Sequence, residues 1–224
     1  MTLESNKTLG GVGAILILVG TLVTSFTYGV IILVGVILVF IALNGLANYY
    51  KERSIFSNAI YSLVAGIVGV VAAVATVLYI IFDTTILTSF LEKLYPNWNG
   101  SWSTLSSAVS GRTPQTANIT AGDISSVVGA IFLVLVILWV FAIVAGFFAR
   151  RSLKTLSTKA NVGLFSTGGL LLLIGAFLTI LFGLGFILMW VAALLIAIAF
   201  FQIKSEAEQP PATVVPPPST PTPV

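Results

Sequence analysis

Three acids, Asp83, Glu92 and Asp123, lie along the one long polar stretch between apolar runs of this chain, and they are the side chains best placed to do chemistry. Carboxylate oxygens hold hard divalent cations, so a fold that gathered the three would offer a cation site. Nothing in their spacing demands it, and solvated loop charges are the simpler reading. Zinc, haem and copper centres draw on His or Cys, and the chain contains neither. The missing cysteines also remove disulfides, thiolate nucleophiles and iron–sulfur ligation. No Ser–His pair and no pair of acids within an apolar run exists from which to build an intramembrane protease. The expectation is a non-enzymatic protein: no catalytic residue, no cofactor-binding residue and no metal ligand is assigned, and no cofactor is implied.

The same polar stretch carries two Asn-x-Ser/Thr tripeptides, Asn99-Gly100-Ser101 and Asn118-Ile119-Thr120. That pattern is an acceptor for N-linked glycan only on the outer side of a membrane, which makes Asn99 and Asn118 candidate modification sites. A third match, Asn6-Lys7-Thr8, falls on the opposite side in the topology below and is set aside.

The elements that must position these residues are apolar runs. The chain is 58% hydrophobic and 8% charged, with a mean hydropathy of +1.10, well outside the range of soluble domains. Uncharged runs of about 18 residues or more suffice to cross a bilayer, where a charge at mid-depth is costly. Six such spans are expected, at about 10–26, 29–49, 59–82, 124–148, 162–182 and 186–203. The fold class is therefore all-α, a polytopic bundle of six transmembrane helices arranged as hairpins. A short segment 1–9 precedes the bundle, a loop 83–123 interrupts it, and a proline-rich tail 204–224 follows, expected to be disordered.

Basic residues orient the bundle, because they concentrate in cytoplasmic segments. With six spans, Lys7, Lys51, Arg53, Arg150, Arg151, Lys154, Lys159 and Lys204 share one side, against Lys93 and Arg112 on the other. Eight against two places both termini in the cytoplasm, with the plasma membrane as the expected location and 83–123 outside. Within that loop Ile86, Leu87, Phe90, Leu91, Leu94 and Tyr95 recur at helical spacing, predicting an amphipathic helix ended by Pro96. Trp98 and Trp102 beyond it suit a membrane interface. Residues 149–161 read as an inner loop with four basic side chains and no acid, suited to topology control and anionic headgroups.

Within the spans the remaining signals concern packing. Ala65, Gly69 and Ala73 recur every fourth residue, and Ala142 with Gly146 repeats the interval, so helix backbones can approach closely there. Asn44 reads as a hydrogen-bonding contact between helices, and Trp139 as a packing residue whose N–H needs a partner. Proton-coupled transport usually relies on an ionisable residue inside the membrane, and none is present.

The run GAILILVGTLVT at 13–24 echoes GGLLLLIGAFLT at 168–179, aligning Gly13 with Gly168, Gly20 with Gly175 and Thr24 with Thr179. Both runs open hairpins of the same orientation, so a parallel internal repeat is expected. The opening LESNKTLGGVGAILILVG, the Gly-rich run 166–175 with its hairpin, and the proline-rich tail resemble a family of archaeal integral membrane proteins known as domain of unknown function number 996. The resemblance covers about 3–205 and implies an archaeal plasma-membrane protein with no assigned activity and no site residue to carry over. The leading expectation is a structural, accessory or scaffold component of the membrane. The alternative is a small transporter or channel for a neutral or lipophilic solute, with a polar-lined cavity between the two hairpins. Expected partners are the lipid bilayer and a second copy or another membrane subunit, with no nucleic acid.

Overall fold

Helices make up the ordered architecture of the computed structural model, which describes residues 2–23, 29–82, 85–180 and 183–204. Six of them are apolar: α1 Leu3–Leu22, α2 Val30–Tyr49, α3 Arg53–Phe82, α6 Ala121–Ala160, α7 Gly163–Leu178 and α8 Leu184–Phe201. Two shorter ones, α4 Ile86–Leu94 and α5 Leu105–Val109, lie in the loop, with a 3-10 turn at Trp102–Thr104 between them. Among the described residues there is no strand. Five of the apolar helices are long enough to cross a membrane. The exception is α7, whose 16 residues cover about 24 Å against a hydrocarbon core of about 30 Å.

Several helices start or stop away from the edges of the apolar runs, because capping and packing set their ends. Helix α1 begins at Leu3 rather than at residue 10: the Thr2 hydroxyl accepts from the Ser5 N–H, and Glu4 sits in the first turn, both favourable at a helix N-terminus. Helix α6 opens on a reciprocal cap between Thr120 and Asp123. It then runs unbroken to Ala160, so the expected inner loop 149–161 is helix. No Gly or Pro interrupts 147–160, and the helix stops only where Asn161 turns left-handed at φ 54°.

The six apolar helices form a ring in chain order, each packed on its neighbours, and α8 closes the ring against α1. Helices α2 and α3 touch least of the adjacent pairs. Glycines make the tight crossings. A methyl placed on Gly13 would lie 2.7 Å from the Gly35 carbonyl, and one on Gly35 would lie 2.6 Å from that of Gly13. The hairpin α7–α8 repeats the device at Gly175 and Gly185. Both second helices start from a left-handed glycine, Gly29 (φ 79°) and Gly183 (φ 73°).

The best-packed core is not central but lies at the end that carries most of the charge. Leu46, Ile55, Leu156, Phe165, Phe200 and Ile203 are closed to solvent there, and Phe165 and Phe200 meet edge to face at 5.0 Å. Lys7, Lys51, Arg53, Arg150, Arg151, Lys154 and Lys159 belong to the same helix ends. Where charges mark the reach of water, burying apolar surface is driven by the hydrophobic effect. Between helices in hydrocarbon that drive is absent, and packing toward the loop end is correspondingly open.

Candidate functional site

No described set of three or more Asp, Glu, His or Cys side chains converges on one point. Of the three acids, Asp83 lies outside the described residues. Asp123 is bound by Lys93 Nζ at 2.6 and 2.8 Å and by the Thr120 backbone and hydroxyl. Glu92 instead faces Gly100. The Lys93 ammonium, followed by the Thr120 donors, lowers the Asp123 carboxyl from 3.8 to about 2. The pair fastens α4 to the start of α6, so these charges hold the loop down.

The loop is built around Trp98, which is buried rather than facing an interface. Its indole N–H donates to the Ser101 carbonyl at 2.7 Å, and its ring meets Trp102 at 5.5 Å. The Gln115 N–H donates to the Leu94 carbonyl at 2.8 Å, drawing the far arm back to α4. The acceptor residues Asn99 and Asn118 are both exposed. The Asn99 side-chain oxygen accepts from the Ser101 N–H and the Thr104 hydroxyl, whereas Asn118 sits in a turn closed by Ile119 and Thr116.

At the opposite end the structure gathers the predicted basic residues. Lys159 pairs with Glu52 at 3.4 Å, joining the end of α6 to the α2–α3 turn. Ser54 and Lys159 together hold the Glu52 carboxyl below its ordinary value. Lys7 bridges to Glu4 at 2.8 Å and donates to the Ile203 carbonyl at 3.4 Å, linking α1 to the end of α8. Lys51, Arg53, Arg150, Arg151 and Lys154 take part in no salt bridge among the described residues.

Of the small residues, Gly69 and Ala73 are buried, and Gly69 faces Phe141 of α6, where a methyl would lie 2.5 Å from the Phe141 Cβ. Gly146 faces Leu173 and Ala176 of α7. Ala65 and Ala142 are half-buried. Trp139 donates its N–H to the Phe177 carbonyl at 3.1 Å, one of the last-turn carbonyls of α7 that a helix cannot satisfy internally. Asn44 is exposed, contrary to expectation, because α2 turns Ala42, Leu43, Leu46 and Ala47 inward instead. The buried asparagines are Asn58, which donates to the Ser54 carbonyl of its own helix at 2.7 Å, and Asn6, seated over Gly45 with its side-chain oxygen unpartnered.

Within the helical bundle, the described space that could hold a ligand is apolar. A cavity of about 190 Å³ is lined by all six helices, through Ile17, Phe40, Ser62, Leu153, Leu172 and Ile196 among others. Phe40 and Ser62 also border a groove of about 520 Å³ between α2 and α3, which continues past Gly66, Ile67 and Val71. Gly66 and Val70 in turn border a third space of about 450 Å³ toward the loop end, walled by Trp139, Thr179, Phe186 and Met189. The lining is almost wholly hydrocarbon, where the transporter or channel alternative called for a polar-lined cavity. Gly66 explains part of the opening: a methyl there would meet nothing within 4 Å. No periodicity marked Gly66 or Asn6. Ser152 alone had a signal, since it adjoins Leu153 and precedes Leu156 on one helical face.

Among known proteins, the chain resembles an uncharacterized protein, MJ1644, of Methanocaldococcus jannaschii. The two are 28% identical over 206 residues, covering 92% of this chain and 96% of the relative. No solved structure matches. The family profile described as Protein of unknown function (DUF996) matches residues 31–194, beginning after the opening run that first suggested it. That match spans α2 to most of α8, and the chain belongs to this family of unknown function.

Proposed function

We propose that this protein is a non-enzymatic integral membrane protein that accommodates the hydrocarbon portion of a lipophilic guest in the apolar space between its helices. The observation that carries this reading is that three apolar spaces adjoin one another, the first two sharing Phe40 and Ser62 as walls and the last two sharing Gly66 and Val70. A hydrocarbon-lined cavity stays dry and takes apolar molecules, whereas a polar solute would lose its hydration there without compensation. The core at the basic end seals that end, so exchange occurs with the bilayer rather than along a through-pore. In this reading α7 makes a sixth crossing, both termini are cytoplasmic and the protein resides in the plasma membrane. The matched glycine crossings of the hairpins α1–α2 and α7–α8 support a parallel repeat.

Quenching of Trp139 by 1-bromododecane in lipid nanodiscs tests the reading, with Trp139→Phe supplying the Trp139-specific signal by difference. Gly66→Leu, which fills the groove, is expected to cut that signal at least by half. Equal quenching in the two proteins would refute cavity binding.

A second reading, an accessory subunit acting through helix packing, is favoured by the middle of α6, where no residue of the apolar window is buried. Crosslinking in native membranes that returned only monomer would remove it.

A further inference from the structure

We infer that the guest is an anionic membrane lipid, bound with its headgroup at Lys51 and Arg53 and one hydrocarbon chain in the α2–α3 groove. This rests on the cavity reading and adds the chemistry of the occupant and its point of entry. The α2–α3 junction is where adjacent helices of the ring touch least, and the groove along it is bordered by Phe40, Ser62, Gly66 and Val71. The turn that closes this junction presents Lys51 and Arg53, both exposed and without a salt bridge among the described residues. The intervening acid, Glu52, is held by Ser54 and Lys159. The turn therefore offers two uncompensated cations at the helix ends from which the apolar groove is reached about 14 Å further along α3.

The dimensions agree. From Arg53 to Ser62 is nine residues of continuous helix and to Gly66 thirteen, a rise of about 14 and about 20 Å. One leaflet of the hydrocarbon core is about 15 Å deep. A lipid with its phosphate at Arg53 thus delivers its chain end to the groove, and through Phe40 and Ser62 to the central cavity. An anionic headgroup near the surface gains from each basic side chain, which selects it over a zwitterionic lipid of the same chain.

The test is retention of phosphatidylglycerol and phosphatidylcholine with matched chains, reconstituted in equal amounts and counted by mass spectrometry after purification of the full chain. The wild type is expected to retain phosphatidylglycerol several-fold over phosphatidylcholine. Lys51→Gln with Arg53→Gln should bring the ratio near one, and Gly66→Leu should lower retention of both lipids. Arg150→Gln with Arg151→Gln, on α6 where Arg150 lies against Gly169 of α7, should leave the ratio unchanged. A ratio untouched by the Lys51/Arg53 variant, or abolished equally by the Arg150/Arg151 variant, overturns the headgroup site. If Gly66→Leu still lowers retention in that case, the cavity reading survives alone. Retention unaffected by Gly66→Leu defeats both.

Discussion

The Ser152 hydroxyl donates a 2.6 Å hydrogen bond to the backbone carbonyl of Ile55, across a sequence separation of 97, and both residues are closed to solvent. One side chain thereby ties the C-terminal part of α6 to the first turn of α3, inside the core at the basic end. Ser152→Ala is expected to lower stability by about 1 kcal/mol, the net worth of a buried hydrogen bond. Thermal unfolding in mild detergent measures it. An unchanged midpoint would mean the bond contributes nothing there.

Two glycines one turn apart on α3 should respond oppositely. Gly69→Ala drives a methyl into Phe141 and is expected to destabilise by about 1–3 kcal/mol through overpacking. Gly66→Ala meets open space and should be neutral or stabilise by up to about 1 kcal/mol from helix propensity alone. Equal effects in side-by-side melts would refute the α3–α6 contact.

The latch between Lys93 and Asp123 titrates in acid. The Asp123 carboxyl is lowered from 3.8 to about 2, so its contribution is complete above the ordinary carboxylate range and fades as pH falls from about 4 through about 2. Limited proteolysis of the loop should accelerate across that window. Asp123→Asn should show rapid cleavage at every pH, and a wild-type loop equally protected at pH 2 and pH 6 would rule the latch out.

The cysteine-free background makes topology directly measurable. In the proposed orientation Ser107→Cys, in the exposed loop, is labelled by an impermeant maleimide in intact cells. Thr158→Cys, at the exposed end of α6, is labelled only after permeabilisation. Reversed reactivity would invert the orientation and withdraw Asn99 and Asn118 as glycan acceptors. If they are outside, Asn118 should be modified ahead of Asn99, whose side-chain oxygen is already engaged by Ser101 and Thr104.

The sequence by itself determined an all-helical membrane protein, the gathering of Lys7, Lys51, Arg53 and the Arg150–Lys159 cluster at one end, and the short amphipathic helix ended by Pro96. Each of these follows from local composition: uncharged runs long enough for a bilayer, cations at run ends, apolar spacing along one helix. Only the tertiary structure decided that α6 carries its basic stretch as helix, that Asn6 rather than Asn44 is buried, and that Trp98 is the centre of the loop. It alone showed the apolar space beside Gly66. Such features depend on which helix faces which, and among helices uniformly apolar around their circumference no periodicity encodes that choice. It is made by close approach at single glycines, by hydrogen bonds such as Ser152 to Ile55, and by the hydrophobic effect acting only where water reaches the bundle.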